Sequence, residues 1–169
     1  MQKDPIAAAR FYLEGLASLH LRARVSRDQV ESVLQQSPPR EYPAGSTLFR
    51  QGEPASAALL VVQGSLVVSV STTEGDREVG TAGPWDVVGE TALYAPDLPR
   101  SATVRASRDS TCLIVTRELL RDAADNAVVV ALEYHLLHTM SHRIRVTNHG
   151  IHEAWRELDS DATRSGTSV

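Results

Sequence analysis

From residue 40 onward, glycines and prolines divide the sequence into short apolar runs, and this punctuation limits the chain to a few fold classes. The predicted strands are Arg40–Tyr42, Thr47–Phe49, Ala57–Gln63, Ser65–Val70, Arg77–Thr81, Val87–Val88, Ala102–Ala106 and Thr111–Val115. Short strands at regular spacing are typical of sandwiches, jelly rolls and barrels. We therefore expect a mainly β fold with flanking helices.

Helical patterns lie on both sides of these strands. Apolar residues recur at helical spacing within residues 6–36, where Ser26 is the expected N-cap of a second helix. Thr116 is expected to cap a short helix that ends near Ala124. A longer helix is predicted from about Ala127. It carries apolar residues at a spacing of seven, namely Val130, Leu137, Ile144, Ile151 and Leu158.

A heptad stripe of this length predicts a helix that pairs two copies of the chain in a homodimer. The alternative is that the same face packs on the chain's own β-sheet. Asn148-His149-Gly150 is expected to interrupt the helix, because Asn and Gly suit the position that follows a helix end. Residues 159–169 are rich in Ser, Thr and Asp and are expected to be a disordered tail.

The run from Val88 to Val104 is the most informative for function. Gly89 allows the backbone to approach a neighbour closely just before a predicted turn of helix. Free amides at a helix start favour an anion. The amides predicted to be free are those of Thr91, Ala92 and Leu93. Glu90 can only accept hydrogen bonds, which suits a hydroxyl, and Arg100 offers a planar fork for a phosphate. Together they predict a pocket for a sugar phosphate.

Gly89-Glu90-Thr91-Ala92-Leu93, six further residues and then Arg100-Ser101-Ala102-Thr103-Val104 resemble the phosphate-binding cassette of cyclic nucleotide-binding domains. The family includes the catabolite activator protein and the regulatory subunit of protein kinase A. Upstream, the same order of motifs is present: Tyr42-Pro43-Ala44-Gly45, Gln51-Gly52-Glu53 and Val61-Val62-Gln63-Gly64. The resemblance covers about residues 40–148. Trp85 departs from it by replacing the glycine usual before Asp86, and Val87-Val88 stands where a phenylalanine usually lies.

The resemblance implies a β-roll, a jelly-roll-like double-stranded β-helix, with N-terminal helices and a long C-terminal dimerisation helix. The expected divisions are a helical segment over 1–38, the β-roll over 39–116 with its cassette at 88–104, C-terminal helices over 117–158, and the tail over 159–169.

The resemblance also implies a role for individual residues. Glu90 would accept from the ribose 2′-hydroxyl, and Arg100 would pair with the cyclic phosphate. The amides of Ala92 and Ser101 would hold the same phosphate, and Gly89 would let the ribose approach. The remaining ligand-binding positions implied are Thr91 and Ala102 in the cassette, with Thr147 and Asn148 at the purine. A hydroxyl at Ser101 suits either cyclic AMP or cyclic GMP.

The function expected is therefore a sensor that binds a cyclic purine mononucleotide and signals through its C-terminal helix to a fused or partner output domain. The alternative is a β-roll that has lost its ligand and acts as a dimerisation or interaction module. A metal-dependent β-roll enzyme needs strand histidines, and none lies between His20 and His135. His138 and His142 share a helix face, but no carboxylate or cysteine completes a metal site with them. We expect no catalysis and no cofactor beyond the ligand.

Composition adds only broad limits. The net charge of −4 does not favour a nucleic-acid partner, and too few residues follow Gly150 for a recognition helix pair, so no direct DNA binding is expected. Cys112 is the only cysteine and lies in an apolar run, which predicts a buried thiol. No run of about 20 apolar residues is present, so we expect no membrane span and a cytoplasmic location.

Overall fold

The computed structural model describes residues 4–165 and shows an antiparallel β-sheet with helices before and after it. In chain order the elements are α1 Pro5–Leu21, α2 Arg27–Gln36, β1 Arg40–Tyr42, β2 Thr47–Phe49, β3 Ala57–Thr72, β4 Gly75–Ala82, β5 Val87–Val88, α3 Thr91–Tyr94, β6 Thr103–Thr116, α4 Arg117–Asp122 and α5 Ala127–Ser165. This is the arrangement expected of a β-roll with flanking helices.

Two long strands form the centre of the sheet. β3 and β6 pair antiparallel from Ala57 opposite Thr116 to Ser69 opposite Thr103. The sheet order is β1-β6-β3-β4, while β2 adds to β6 and β5 adds to β3. Cassette residues therefore follow a two-residue strand, β5, that pairs with β3 and buries both of its valines.

Four of the predicted short strands are wrong as separate elements. Ala57–Gln63 and Ser65–Val70 are one strand, β3, and the two predicted strands on either side of residues 107–110 are both parts of β6. β3 continues through Gly64. The φ of Gly64 is +95°, and the register between β3 and β6 shifts on either side of it. A side chain at Gly64 would collide with Ser110 of β6. The glycine marks an irregularity between closely paired strands rather than a turn.

Alternate residues of β3 are buried on opposite faces of the sheet. Ala58, Leu60 and Val62 belong to a core shared with the helices, whereas Leu59 and Val61 belong to a second core inside the roll. A strand buried on both faces reads as a continuous apolar run, as this one does. The helices before and after the sheet thus cover one face, and the other face encloses its own core.

Local capping confirms the predicted helix starts. Ser26 caps α2 in a capping box with Gln29, and the Thr116 hydroxyl accepts from the amide of Leu119 at 3.1 Å to cap α4. Cys112 is buried as predicted, and burial raises the pKa of its thiol to about 12. Each of these features depends on residues near one another in sequence or on a single apolar run.

The described chain divides into two units, with the boundary between Leu136 and Leu137. Helix α5 crosses this boundary, and from Leu137 onward it belongs to the second unit. The predicted interruption at Asn148–Gly150 is wrong, because the helix continues to Ser165. Glycine costs about 1 kcal/mol relative to alanine within a helix, and cooperative hydrogen bonding on both sides of Gly150 can offset one such residue. The tail predicted from Asp159 is also helical as far as Ser165, and residues 166–169 lie outside the described part.

Candidate functional site

The cassette has the order of elements that its sequence predicts. Gly89 follows strand β5, the single turn α3 spans Thr91–Tyr94, a loop carries Arg100, and Thr103 begins strand β6. The loop is tied to an earlier turn by two backbone hydrogen bonds. Arg100 N donates to Glu53 O at 2.9 Å, and Gly52 N donates to Arg100 O at 2.8 Å. Arg100 is therefore positioned by a segment almost fifty residues before it in the sequence.

Gly89 and Arg100 are packed against each other. Gly89 has a φ of +75°, which favours glycine. A Cβ at this position would collide with Arg100 Nη1 and would lie 3.2 Å from Phe49 Cζ. The glycine thus meets two requirements at once, a left-handed backbone and room for the guanidinium.

The Arg100 guanidinium lies between an aromatic ring and backbone carbonyls. Its carbon is 4.0 Å from the centroid of the Phe49 ring, a cation–π contact. Nη2 donates to Ala57 O at 2.7 Å and Nη1 to Gly89 O at 3.3 Å. Nε is buried and has no hydrogen-bond partner among the described residues. Burial lowers the pKa of the guanidinium, and the Glu53 carboxylate partly opposes this shift.

The prediction of three free amides at the start of α3 is wrong for two of them. Ala92 N donates to Gly89 O at 3.1 Å, and Leu93 N donates to Glu90 O at 3.0 Å. Both are i to i+3 bonds of the 3₁₀ type, which occupy amides that the first turn of a regular α-helix leaves free. Glu90 is half-buried with helical backbone angles, and its side chain makes no capping bond to α3.

The other predicted site residues are placed less tightly. Thr91 and Ser101 are exposed on the cassette, and Ala102 is half-buried. Thr147 and Asn148 are exposed on helix α5 in the second unit, so their proximity to the purine stays a prediction. The structure therefore brings Gly89 and Arg100 into contact, and Glu90 directly follows Gly89 in the chain.

Phe49 and the Ala57 carbonyl were not identified from the sequence. Phe49 was recognised only as part of a strand, since no spacing rule links a β2 residue to an arginine in a loop after α3. An aromatic residue shortly before the Gln51-Gly52-Glu53 turn was the only available signal. Its contact with Arg100 depends on the pairing of β2 with β6.

Residues 4–165 contain neither a candidate metal site nor a candidate membrane span. No group of three or more His, Cys, Asp or Glu side chains there could hold a metal ion. In that same part of the chain, no helix combines the length and the apolar character that crossing a bilayer requires.

Comparisons with known proteins point to one family. The CRP-like cAMP-activated global transcriptional regulator of Mycobacterium tuberculosis is 25% identical over 139 residues, which cover 82% of this chain and 61% of the relative. The chain thus spans about three-fifths of that protein. The catabolite activator protein of Thermus thermophilus has a TM-score of 0.60 at 28% identity, over 81% of this chain and 60% of that structure.

A cyclic nucleotide-binding domain from Methylobacillus flagellatus shares the fold, with a TM-score of 0.72 at 19% identity over 86% of this chain and 83% of that domain. The sequence model of the cyclic nucleotide-binding domain matches residues 39–127, which is more than half of the chain. On this evidence the chain belongs to the cyclic nucleotide-binding domain family.

Proposed function

We propose that this chain is a regulatory module that binds a cyclic purine mononucleotide, cAMP or cGMP, without catalysing a reaction on it. The observation that carries the proposal is the packing of Arg100 against Gly89, which brings a guanidinium to the Gly-Glu turn of this family. Arginine has five N–H donors, and the bonds to Ala57 O and Gly89 O use two of them. Nε is buried, so the second N–H of each terminal nitrogen is the donor proposed for the phosphate.

In this proposal Arg100 pairs with the cyclic phosphate and Glu90 accepts from the ribose 2′-hydroxyl. Backbone amides of Ala92 and Ser101 add donors to the phosphate. The Ala92 amide already donates to Gly89 O at 3.1 Å, so ligand binding requires that bond to be shared or replaced. Glycine at position 89 lets the ribose approach the backbone.

The remaining assignments complete the ligand's surroundings. Thr91 and Ala102 border the phosphate within the cassette, and Thr147 and Asn148 of α5 contact the purine. The Mycobacterium tuberculosis relative is cAMP-activated by name, which makes cAMP the first ligand to test. The Ser101 hydroxyl both donates and accepts, so it suits either base.

We further propose that α5 pairs two copies of the chain and carries the signal to an output domain or partner. Leu137, Ile144, Ile151 and Leu158 recur every seven residues and are 44–68% exposed in the single chain. An exposed apolar stripe at a spacing of seven is typical of a coiled-coil seam. The output is proposed to lie in another protein or another domain, and this chain is proposed not to bind DNA directly.

Calorimetric titration with cAMP and with cGMP tests the proposal. Saturable binding of either nucleotide at micromolar affinity or better is expected. Arg100→Ala removes the charged partner of the phosphate and should cost about 2–5 kcal/mol of binding free energy, at least about 30-fold in Kd. Arg100→Lys keeps the charge but loses the planar donor geometry of the guanidinium, so it should recover only part of the lost binding free energy. Arg105→Ala, an exposed arginine on β6, is the matched control.

A second candidate function is a nucleotide-independent interaction module. It is favoured by one observation: Arg100 already donates to two carbonyls of its own chain, and so has structural partners without a ligand. In that case neither nucleotide produces heat, and Arg100→Ala lowers the unfolding free energy while dimerisation through α5 continues. Binding that survives both Arg100→Ala and Glu90→Gln would mean that the nucleotide site lies elsewhere.

A further inference from the structure

Trp85 has a backbone conformation that a bulky residue rarely adopts. Its φ is +77°, in the left-handed region, within the turn between β4 and β5. A large aromatic residue at positive φ is strained and persists only where its surroundings hold it. Residue 85 is also the position where the sequence departs from the glycine usual in the family.

Residues of helix α1 contact the indole of Trp85. The Trp85 ring stacks on the Tyr12 ring with centroids 3.9 Å apart and planes 26° apart. A Cβ at Gly15 would lie 2.8 Å from Trp85 Cη2, so the absence of a side chain at Gly15 makes room for the indole. Tyr12 is 3% exposed, and burial first, then the charge of Asp86, raises the pKa of its phenol. One face of Trp85 is thus fixed to a buried part of α1.

Helix α5 holds the Trp85 backbone from another direction. His135, 7% exposed, places Nε2 2.6 Å from Trp85 O. A carbonyl oxygen can only accept, so His135 Nε2 carries the hydrogen. His135 Nδ1 lies 3.1 Å from His20 Nε2 of α1. When both rings are neutral, His135 Nδ1 accepts from His20. The two helices and the β4–β5 turn are therefore joined through one carbonyl and two imidazoles, all before the unit boundary at Leu136.

The held turn leads directly into the cassette. Trp85 N donates to Val61 O at 3.1 Å, Val61 N donates to Asp86 O at 2.9 Å, and β5 comes next with only two residues paired to β3. Gly89 and Glu90 follow at once. The pairing of β5 with β3 is only two residues long, so the turn before it contributes to fixing where Gly89 and Glu90 lie.

We infer that Trp85, anchored by Tyr12 and by the His135 Nε2 bond to its carbonyl, is a positioning residue for the nucleotide site. It acts on the ligand only through Gly89 and Glu90. The expected effect of these contacts on nucleotide binding rests on the proposed function. Their expected effect on the conformation of the turn does not depend on any ligand.

Two substitutions at His135 isolate the hydrogen bond. His135→Leu fills the site without a donor, whereas His135→Gln keeps an N–H that can reach the Trp85 carbonyl. In ligand-free protein, amide hydrogen exchange is measured at Asp86, whose N–H donates to Gly83 O at 3.0 Å. A typical hydrogen bond contributes about 0.5–1.5 kcal/mol, so His135→Leu should speed exchange at Asp86 about 2- to 13-fold. It should weaken cAMP binding by a similar factor, and His135→Gln should recover most of both.

A core variant outside the turn and outside the residues that contact Trp85 separates positioning from general destabilisation. Leu34→Ala in α2 removes a side chain that is 6% exposed and should lower the unfolding free energy while leaving cAMP affinity unchanged. Trp85→Gly should keep the overall secondary structure of the wild type, by far-UV circular dichroism, yet bind cAMP more weakly because the contacts of the indole with Tyr12 are lost.

The inference is overturned if His135→Leu leaves Asp86 exchange at the wild-type rate, or if His135→Gln behaves like His135→Leu. The inference is also overturned if Leu34→Ala and His135→Leu lower the unfolding free energy equally and weaken cAMP binding equally. If wild-type protein binds neither cAMP nor cGMP, the proposed function fails, and the exchange measurement alone decides whether His135 holds the turn.

Discussion

Gly89→Ala provides the sharpest test of the site geometry. The new methyl group would meet Arg100 Nη1 and lie 3.2 Å from Phe49 Cζ, at a φ of +75°. Left-handed backbone costs a non-glycine residue about 1–2 kcal/mol. Overpacking adds about 1–3 kcal/mol. The side chain of Arg100 is flexible, so we expect the guanidinium to move away from the phosphate position rather than the backbone to yield.

Gly45→Ala is the matched control, because Gly45 has a φ of +83° and no atom within 4 Å of an added Cβ. It carries the backbone strain without the collision. Chemical unfolding should show a loss of about 1–2 kcal/mol for Gly45→Ala and about 2–5 kcal/mol for Gly89→Ala. Nucleotide affinity should fall at least about 10-fold in Gly89→Ala alone, which corresponds to about 1.4 kcal/mol. Equal stability and equal affinity in the two variants would refute the packing of Gly89 against Arg100 described above.

Three further predictions concern other parts of the chain. Ile144→Asp places a charge in the exposed stripe of α5 and should convert dimer to monomer in sedimentation equilibrium, whereas Arg145→Ala should not. Gly150→Ala has no neighbour within 4 Å and should stabilise α5 by about 0.5–1 kcal/mol, seen as a higher thermal midpoint of helical circular dichroism; destabilisation would indicate a break there. The Cys112 pKa, raised from 9.0 to about 12 by burial, keeps the folded thiol protonated while the unfolded thiol ionises. The unfolding free energy should therefore fall between about pH 9 and 12, and less steeply in Cys112→Ala, as measured by urea titration.

Features that depend on a few neighbouring residues were predicted well. Ser26 and Thr116 cap their helices because a hydroxyl reaches amides three residues ahead. The cassette follows its predicted order because Gly89 and the loop prolines act locally. Predictions failed where the conformation of a residue depends on a paired strand or on neighbouring helical turns. Gly64 continues β3 because β6 pairs along it, and Gly150 stays helical because the turns on either side do.

The sequence by itself determined the fold class, the family and the position of the cassette, since these depend on the order of apolar runs, turn residues and a local motif. Only the tertiary structure placed Phe49 and the Ala57 carbonyl around Arg100, and Tyr12 and His135 around Trp85. These contacts join residues far apart in sequence. They arise from the pairing of strands and the packing of helices on the sheet, and no local pattern encodes which side chains will meet there.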